Sequence, residues 1–175
     1  MDHEPSPGQP AALAGRGGVA GQVIEAAVWA PSVHNTQPWL FAPDDGQVIL
    51  HADRSRQLTT ADPDGREMII SCGAALFTAR LALRSRGWIP QTQIFPEPSQ
   101  PLLVARVTWL RREPPTEFEQ QMFGQVRQRR THRGGFDSLP LSAALIQVLR
   151  DGAQRDGAAL RVLADGASRA ALAAV

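Results

Sequence analysis

Between Arg66 and Arg86 the sequence carries apolar residues all the way round a helix: Met68, Ile69, Ile70, Ala74, Ala75, Leu76, Phe77, Leu81 and Leu83. A surface helix keeps one polar face, so a pattern that covers most of the circumference demands packing on several sides or at a subunit interface. Whatever else folds here must wrap this helix. Asp62-Pro63-Asp64-Gly65 reads as its start, with an acidic cap and proline at the first turn, and Gly87 as its C-terminal stop. The longest near-apolar run, Met68 to Phe77, is too short to span a bilayer, and Asp2 and Glu4 precede any apolar run. No membrane association is expected, and cytoplasm is the expected location.

The wrapping elements are legible in outline. Residues 1 to 18 are rich in Pro, Gly and Ala without periodicity and read as a loose arm. Val23, Ile24, Ala27 and Val28 predict an amphipathic helix over Val19 to Trp29, stopped by Pro31. Trp39 to Ala42 and Val48 to His51 are β-rich runs around Asp45-Gly46, a hairpin turn signal. Leu102 to Leu110 alternates, with Leu103, Ala105, Val107 and Trp109 on one face, as in a half-buried strand. Thr116 to Glu119 has the form of a capping box, and Phe118, Met122 and Val126 follow at helical spacing. Beyond it a helix over Leu141 to Leu149, a strand over Leu160 to Leu163 and an Ala-rich helix at the end are expected.

Composition excludes several chemistries. All eighteen basic residues are arginine, which removes lysine Schiff bases and phosphate loops that depend on a lysine. The net charge of +1 steers the chain toward neither nucleic acid nor anionic membranes. Cys72 is the single cysteine and lies within the apolar helix, so it reads as a packing residue in a reducing compartment. His3, His34, His51 and His132 have no ligand spacing, so no metal site is expected. Asp44, Asp45, Asp62 and Asp64 fall at turns and caps, and no paired carboxylates are visible.

Two segments carry chemistry. In Ala30-Pro-Ser-Val-His-Asn-Thr-Gln-Pro-Trp39, Ser32, Asn35 and Gln37 bring groups that both donate and accept hydrogen bonds, matching the C=O and N–H edge of an isoalloxazine pyrimidine. Pro31 and Pro38 restrict the backbone on either side. His34 is more readily a wall residue than an acid or base, and Trp29 and Trp39 read as packing residues before stacking ones. In Arg127-Gln-Arg-Arg-Thr-His-Arg-Gly-Gly-Phe136, four arginines stand within seven residues beside Thr131 and two glycines. Guanidinium forks, a hydroxyl and accessible amides suit a phosphate. The alternatives are a solvated basic patch and an RNA-binding patch; near-neutral charge and the lack of interleaved aromatics weigh against RNA.

The string APSxxNxQPW resembles the flavin-contacting loop of the nitroreductase family, and RRTHRGGF resembles that family's phosphate-holding segment, with Thr131 in a serine position. The resemblance covers nearly everything after residue 19. It implies an α+β, nitroreductase-like fold: an antiparallel-rich sheet flanked by helices, with a long central helix. It also implies FMN as cofactor, NAD(P)H as electron donor, and hydride transfer through the flavin to a small nitroaromatic or quinone. Ser32, Asn35 and Gln37 would contact the ring, and Arg129, Arg130, Thr131 and Arg133 would hold the phosphate and ribityl chain. No side chain is implied as catalytic, because the cofactor carries the chemistry. Arg66 is the candidate for the cation that a lysine supplies elsewhere in the family.

In the family the phosphate segment precedes the ring-contacting loop, whereas here it follows. That order resembles the Acg-like subgroup, in which two modules in one chain imitate a dimer, and whose central helix DPDGREMIISCGAALFTARLALRSRGW resembles. The implied organisation is a first module over 19–112, a connecting helix over 113–128, and the start of an incomplete second module over 129–175. A homodimer or a missing second-module partner would complete the site at a dimer-like interface. A non-catalytic flavin-binding or flavin-sequestering protein is the alternative.

Overall fold

A computed structural model describes residues 18–137 and 139–174; the expected N-terminal arm, apart from Gly18, lies outside them. The described residues fall into two compact units, one ending at Thr131 and the other beginning at His132. The first is an α+β unit.

Its helix α1 (Val19–Ala27) buries Val23, Ile24, Ala26 and Ala27. Strands β1 (Trp39–Asp44) and β2 (Gln47–Ala52) form the hairpin expected from Asp45-Gly46, with Trp39 opposite Ala52 and Asp44 opposite Gln47. Gly46 sits at φ 70°, a conformation glycine adopts without a Cβ penalty. Helix α2 (Arg66–Ser85) is followed by β3 (Trp88–Ile94) and β4 (Leu103–Arg112). The sheet order is β1-β2-β4-β3, antiparallel throughout. Val48, Leu50, Ala52, Ala105 and Val107 from the sheet join Cys72, Ala75, Ala79 and Leu83 of α2 and Val23 and Ala27 of α1 in one core. Burying this apolar area is the main stabilising term.

The central helix departs from expectation at its start. Gly65, at φ 73°, occupies the N-cap, and Pro63 lies ahead of the helix. The cap comes from buried Asp62, whose carboxylate accepts from the backbone N–H of Glu67 at 3.1 Å and of Met68 at 2.8 Å. As a helix of 20 residues, α2 is long and apolar enough to cross a membrane by length and composition alone, but 56% of that stretch is buried within the fold. Packing against α1 and the sheet accounts for its apolarity. Ile70 and Phe77 stay exposed on its outer side.

Helix α3 (Glu117–Gln125) begins with the expected capping box: Thr116 Oγ1 accepts from Glu119 N, and the Glu119 carboxylate accepts from Thr116 N. The same carboxylate pairs with Arg84 of α2 at 2.7 Å, while Arg84 also donates to the carbonyls of Trp88, Glu113 and Pro114. This fastens α3 to the end of α2. Strand β3 was not expected, because Pro90 interrupts its run; it survives at the sheet edge, with a register shift between Ile89 and Pro90.

The second unit contains α4 (Ala143–Arg155) and α5 (Gly166–Ala173), capped by Ser142 and Asp165. No described residue in it is buried. The expected strand Leu160–Leu163 does not form, and Leu160 and Val162 are exposed. Among the described residues of this unit there is no neighbouring strand to satisfy its backbone, and β-propensity alone does not hold a strand.

Candidate functional site

The loop from Ala30 to Trp39 runs from the end of α1 to the start of β1 and holds an unusual backbone. His34, Asn35 and Gln37 have φ of 47°, 58° and 49°. Left-handed backbone costs a non-glycine residue on the order of 1 kcal/mol or more, less for asparagine, so surrounding contacts must impose it. Those contacts are present. Ser32 Oγ accepts from Gln37 N at 2.9 Å, closing the loop on itself. Ser32 O and Val33 O accept from the amides of Asn35 and Thr36, each at 3.0 Å. Val33 N donates to Ser71 Oγ of α2 at 3.2 Å, and the Ser71 hydroxyl donates onward to Glu67 O at 2.8 Å.

The exit is equally anchored. Pro38 O accepts from Asp53 N at 3.0 Å and from Cys72 Sγ at 3.1 Å. Burial pushes the Cys72 thiol up to about 12, which keeps it a protonated donor and no nucleophile. Arg56 Nη1 lies 3.3 Å from Thr36 O and 3.4 Å from Gln37 O.

These anchors leave the amide side chains unused. Asn35 is exposed and Gln37 half-buried, and neither amide group has a hydrogen-bond partner among the described residues. Ser32 differs, because its oxygen already serves Gln37 N. Its first job is to hold the loop. His34 is exposed, with no acid or base partner among the described residues. Trp39 is buried in the core as expected, whereas Trp29 is 42% exposed with the Arg127 guanidinium 5.2 Å from its ring centre.

The arginine segment follows α3. Arg127 pairs with Glu25 of α1 at 2.8 Å, which sets the start of this segment against the helix that leads into the loop. Arg129, Arg130 and Thr131 belong to the first unit and Arg133 to the second; all four are exposed. Arg130 Nη1 turns back onto the carbonyls of Arg127 and Arg129, at 2.6 and 2.8 Å. Arg66 is engaged with Glu67 at 2.9 Å on the exposed first turn of α2. A cleft of about 520 Å³ lined by His51, Arg54, Gln57, Met68 and Leu102 includes no residue of the 30–39 loop. Among the described residues no cluster of three or more His, Cys, Asp or Glu side chains suits a metal ion.

No family model matches the chain. Individual proteins of Mycobacterium tuberculosis do. One, named "Putative NAD(P)H nitroreductase acg", is 33% identical over 142 residues, or 81% of this chain and 43% of the relative. A second, also named an NAD(P)H nitroreductase on the same qualified terms, is 34% identical over 139 residues, 79% of this chain and 40% of its own length. The chain belongs to the nitroreductase family. A third relative, named only as an uncharacterized protein, is 38% identical over 141 residues, 78% of this chain and 41% of its own. This nitroreductase-family chain spans about two fifths of the length of the curated relatives it matches.

Two residues escaped sequence reasoning. Ser71 and Arg56 touch the loop from α2 and from the turn after β2, yet neither stands in a motif. The only local signal was Asp53-Arg-Ser-Arg56, in which Asp53 accepts from Ser55 N at 3.0 Å and pairs with Arg56 at 3.3 Å.

Proposed function

We propose that this chain supplies part of an FMN site of the nitroreductase type, an NAD(P)H-dependent oxidoreductase that reduces small nitroaromatics or quinones in the cytoplasm. One observation carries the reading: a loop whose backbone is held left-handed at three non-glycine positions while its amide side chains, Asn35 and Gln37, have no partner among the described residues. Strained backbone with idle polar groups is the pattern of a preset ligand contact.

The donor set fits a flavin edge. A carboxamide donates and accepts at once, so Asn35 and Gln37 match alternating ring carbonyl and N–H groups, while Ser32 spends its oxygen on loop closure. Held there, FMN would supply the hydride-transfer chemistry between NAD(P)H and the acceptor. The chain binds and orients. Arg129, Arg130 and Thr131 of the first unit would hold the phosphate, with the Arg130 guanidinium exchanging two backbone carbonyls for phosphate oxygens. A second module, from a second copy or another chain, would complete the pocket.

The test is the absorbance spectrum of the purified protein and its response to NADPH. Co-purifying FMN that bleaches with NADPH and recovers its colour with a nitroaromatic or quinone is the expected result. Protein that neither carries nor takes up FMN overturns the reading. Flavin sequestration is the second reading; tightly bound flavin that NADPH does not reduce would establish it.

A further inference from the structure

We propose that Arg56 is a positioning residue, and that the turn Asp53-Arg54-Ser55-Arg56 is a clamp that presets the 32–37 loop for its ligand; the ligand part rests on the flavin reading above. The turn reaches three successive loop carbonyls. Arg56 Nη1 takes those of Thr36 and Gln37 at 3.3 and 3.4 Å, and Asp53 N takes that of Pro38 at 3.0 Å.

Each guanidinium contact is long and individually weak, but both fall on one nitrogen and bracket the peptide unit into Gln37, which lies at φ 49°. A chain relaxing that residue to negative φ would swing the surrounding peptide planes and break the convergence. The turn is itself rigid. Asp53 accepts from both the amide and the hydroxyl of Ser55, at 3.0 and 2.6 Å, and its second oxygen faces Arg56 Nε at 3.3 Å. Because Asp53 balances the Arg56 charge, the effect on the loop is geometric and owes little to a net field. Ser71 grips the other end of the loop through Val33 N, so Asn35 lies between two anchors on different elements. A side-chain amide so placed meets its ligand without first ordering the backbone.

The test uses the full chain with Arg56→Met and Arg56→Lys, which remove the planar fork while the second keeps the charge. Two quantities are measured: FMN affinity by fluorescence quenching, and ligand-free hydrogen exchange at the amides of Asn35, Thr36 and Gln37. In both variants FMN affinity should fall roughly tenfold, as expected for lost preorganising hydrogen bonds. Exchange at these three amides should accelerate while core amides of β2 and β4 keep their rates. Unchanged loop exchange in Arg56→Met overturns the clamp, as does equal acceleration throughout the sheet, which would mark Arg56 as an ordinary stabilising residue. If the unaltered chain takes up no FMN, the flavin reading falls, and the ligand-free exchange still decides whether the clamp exists.

Discussion

At Asn35 two demands meet that can be separated by substitution. Its backbone is left-handed at φ 58°, and its side-chain amide is idle. Asn35→Gly accepts the backbone and removes the amide, so the chain should keep its stability to within about 0.5 kcal/mol in urea unfolding while FMN retention falls. Asn35→Ala removes the amide and also strains the backbone, and should cost about 1 kcal/mol of stability besides. Equal flavin retention in Asn35→Gly and the unaltered protein would remove Asn35 from the ring-contacting set. The residue types here were legible from sequence because carboxamides flanked by prolines are informative in any fold. The left-handed backbone was not, since His34 and Gln37 give no glycine-like signal and their φ is imposed through Ser71 and Arg56. Arg56 lies twenty residues from Thr36, and that distance closes only once β1 and β2 pair.

Between elements, the most heavily used polar contact is the one that docks α3 on α2. Glu119 closes the capping box and faces Arg84, whose guanidinium holds the Glu119 carboxyl down at about 2. A carboxyl depressed in the folded state stabilises the fold above its unfolded pKa, near 4.5, and loses that contribution as pH falls toward about 2. Discounted for partial exposure, the contribution is about 1–2 kcal/mol. The urea midpoint of the unaltered protein should therefore fall between pH 5 and pH 2 by about that much more than that of Glu119→Gln, which should be destabilised at pH 7 and flatter below it. Parallel profiles would show that α3 docks by its apolar face alone. The capping box and the α2 pattern could be read locally, and so both helices were visible in the sequence. Strand β3 was hidden by Pro90, which an edge position tolerates, and the expected Leu160–Leu163 strand failed because a strand is a property of a pair.

For the whole molecule, the division at Thr131 separates a unit with a continuous core from one in which no described residue is buried. Cooperative unfolding tracks buried apolar area, so the first unit should supply nearly all of it. A chain ending at Thr131 should melt as one transition within about 3 °C of the full chain, since losing exposed helices changes little of that area. Ligand binding should hold as well. The shortened chain keeps Ser32, Asn35, Gln37, Arg129, Arg130 and Thr131, the first unit's candidate flavin contacts. FMN affinity should therefore stay within about threefold of the full chain's, whereas losing one charge-assisted phosphate contact, worth roughly 1.5–3 kcal/mol, would lower it about tenfold or more. The two measurements answer different questions. Unchanged FMN affinity would confine the binding groups to the first unit; an unchanged melt with FMN affinity lowered about tenfold or more would mean that the first unit's arginines do not suffice for the phosphate. A lost transition would mean that residues after Thr131 contribute to the core, against their exposure.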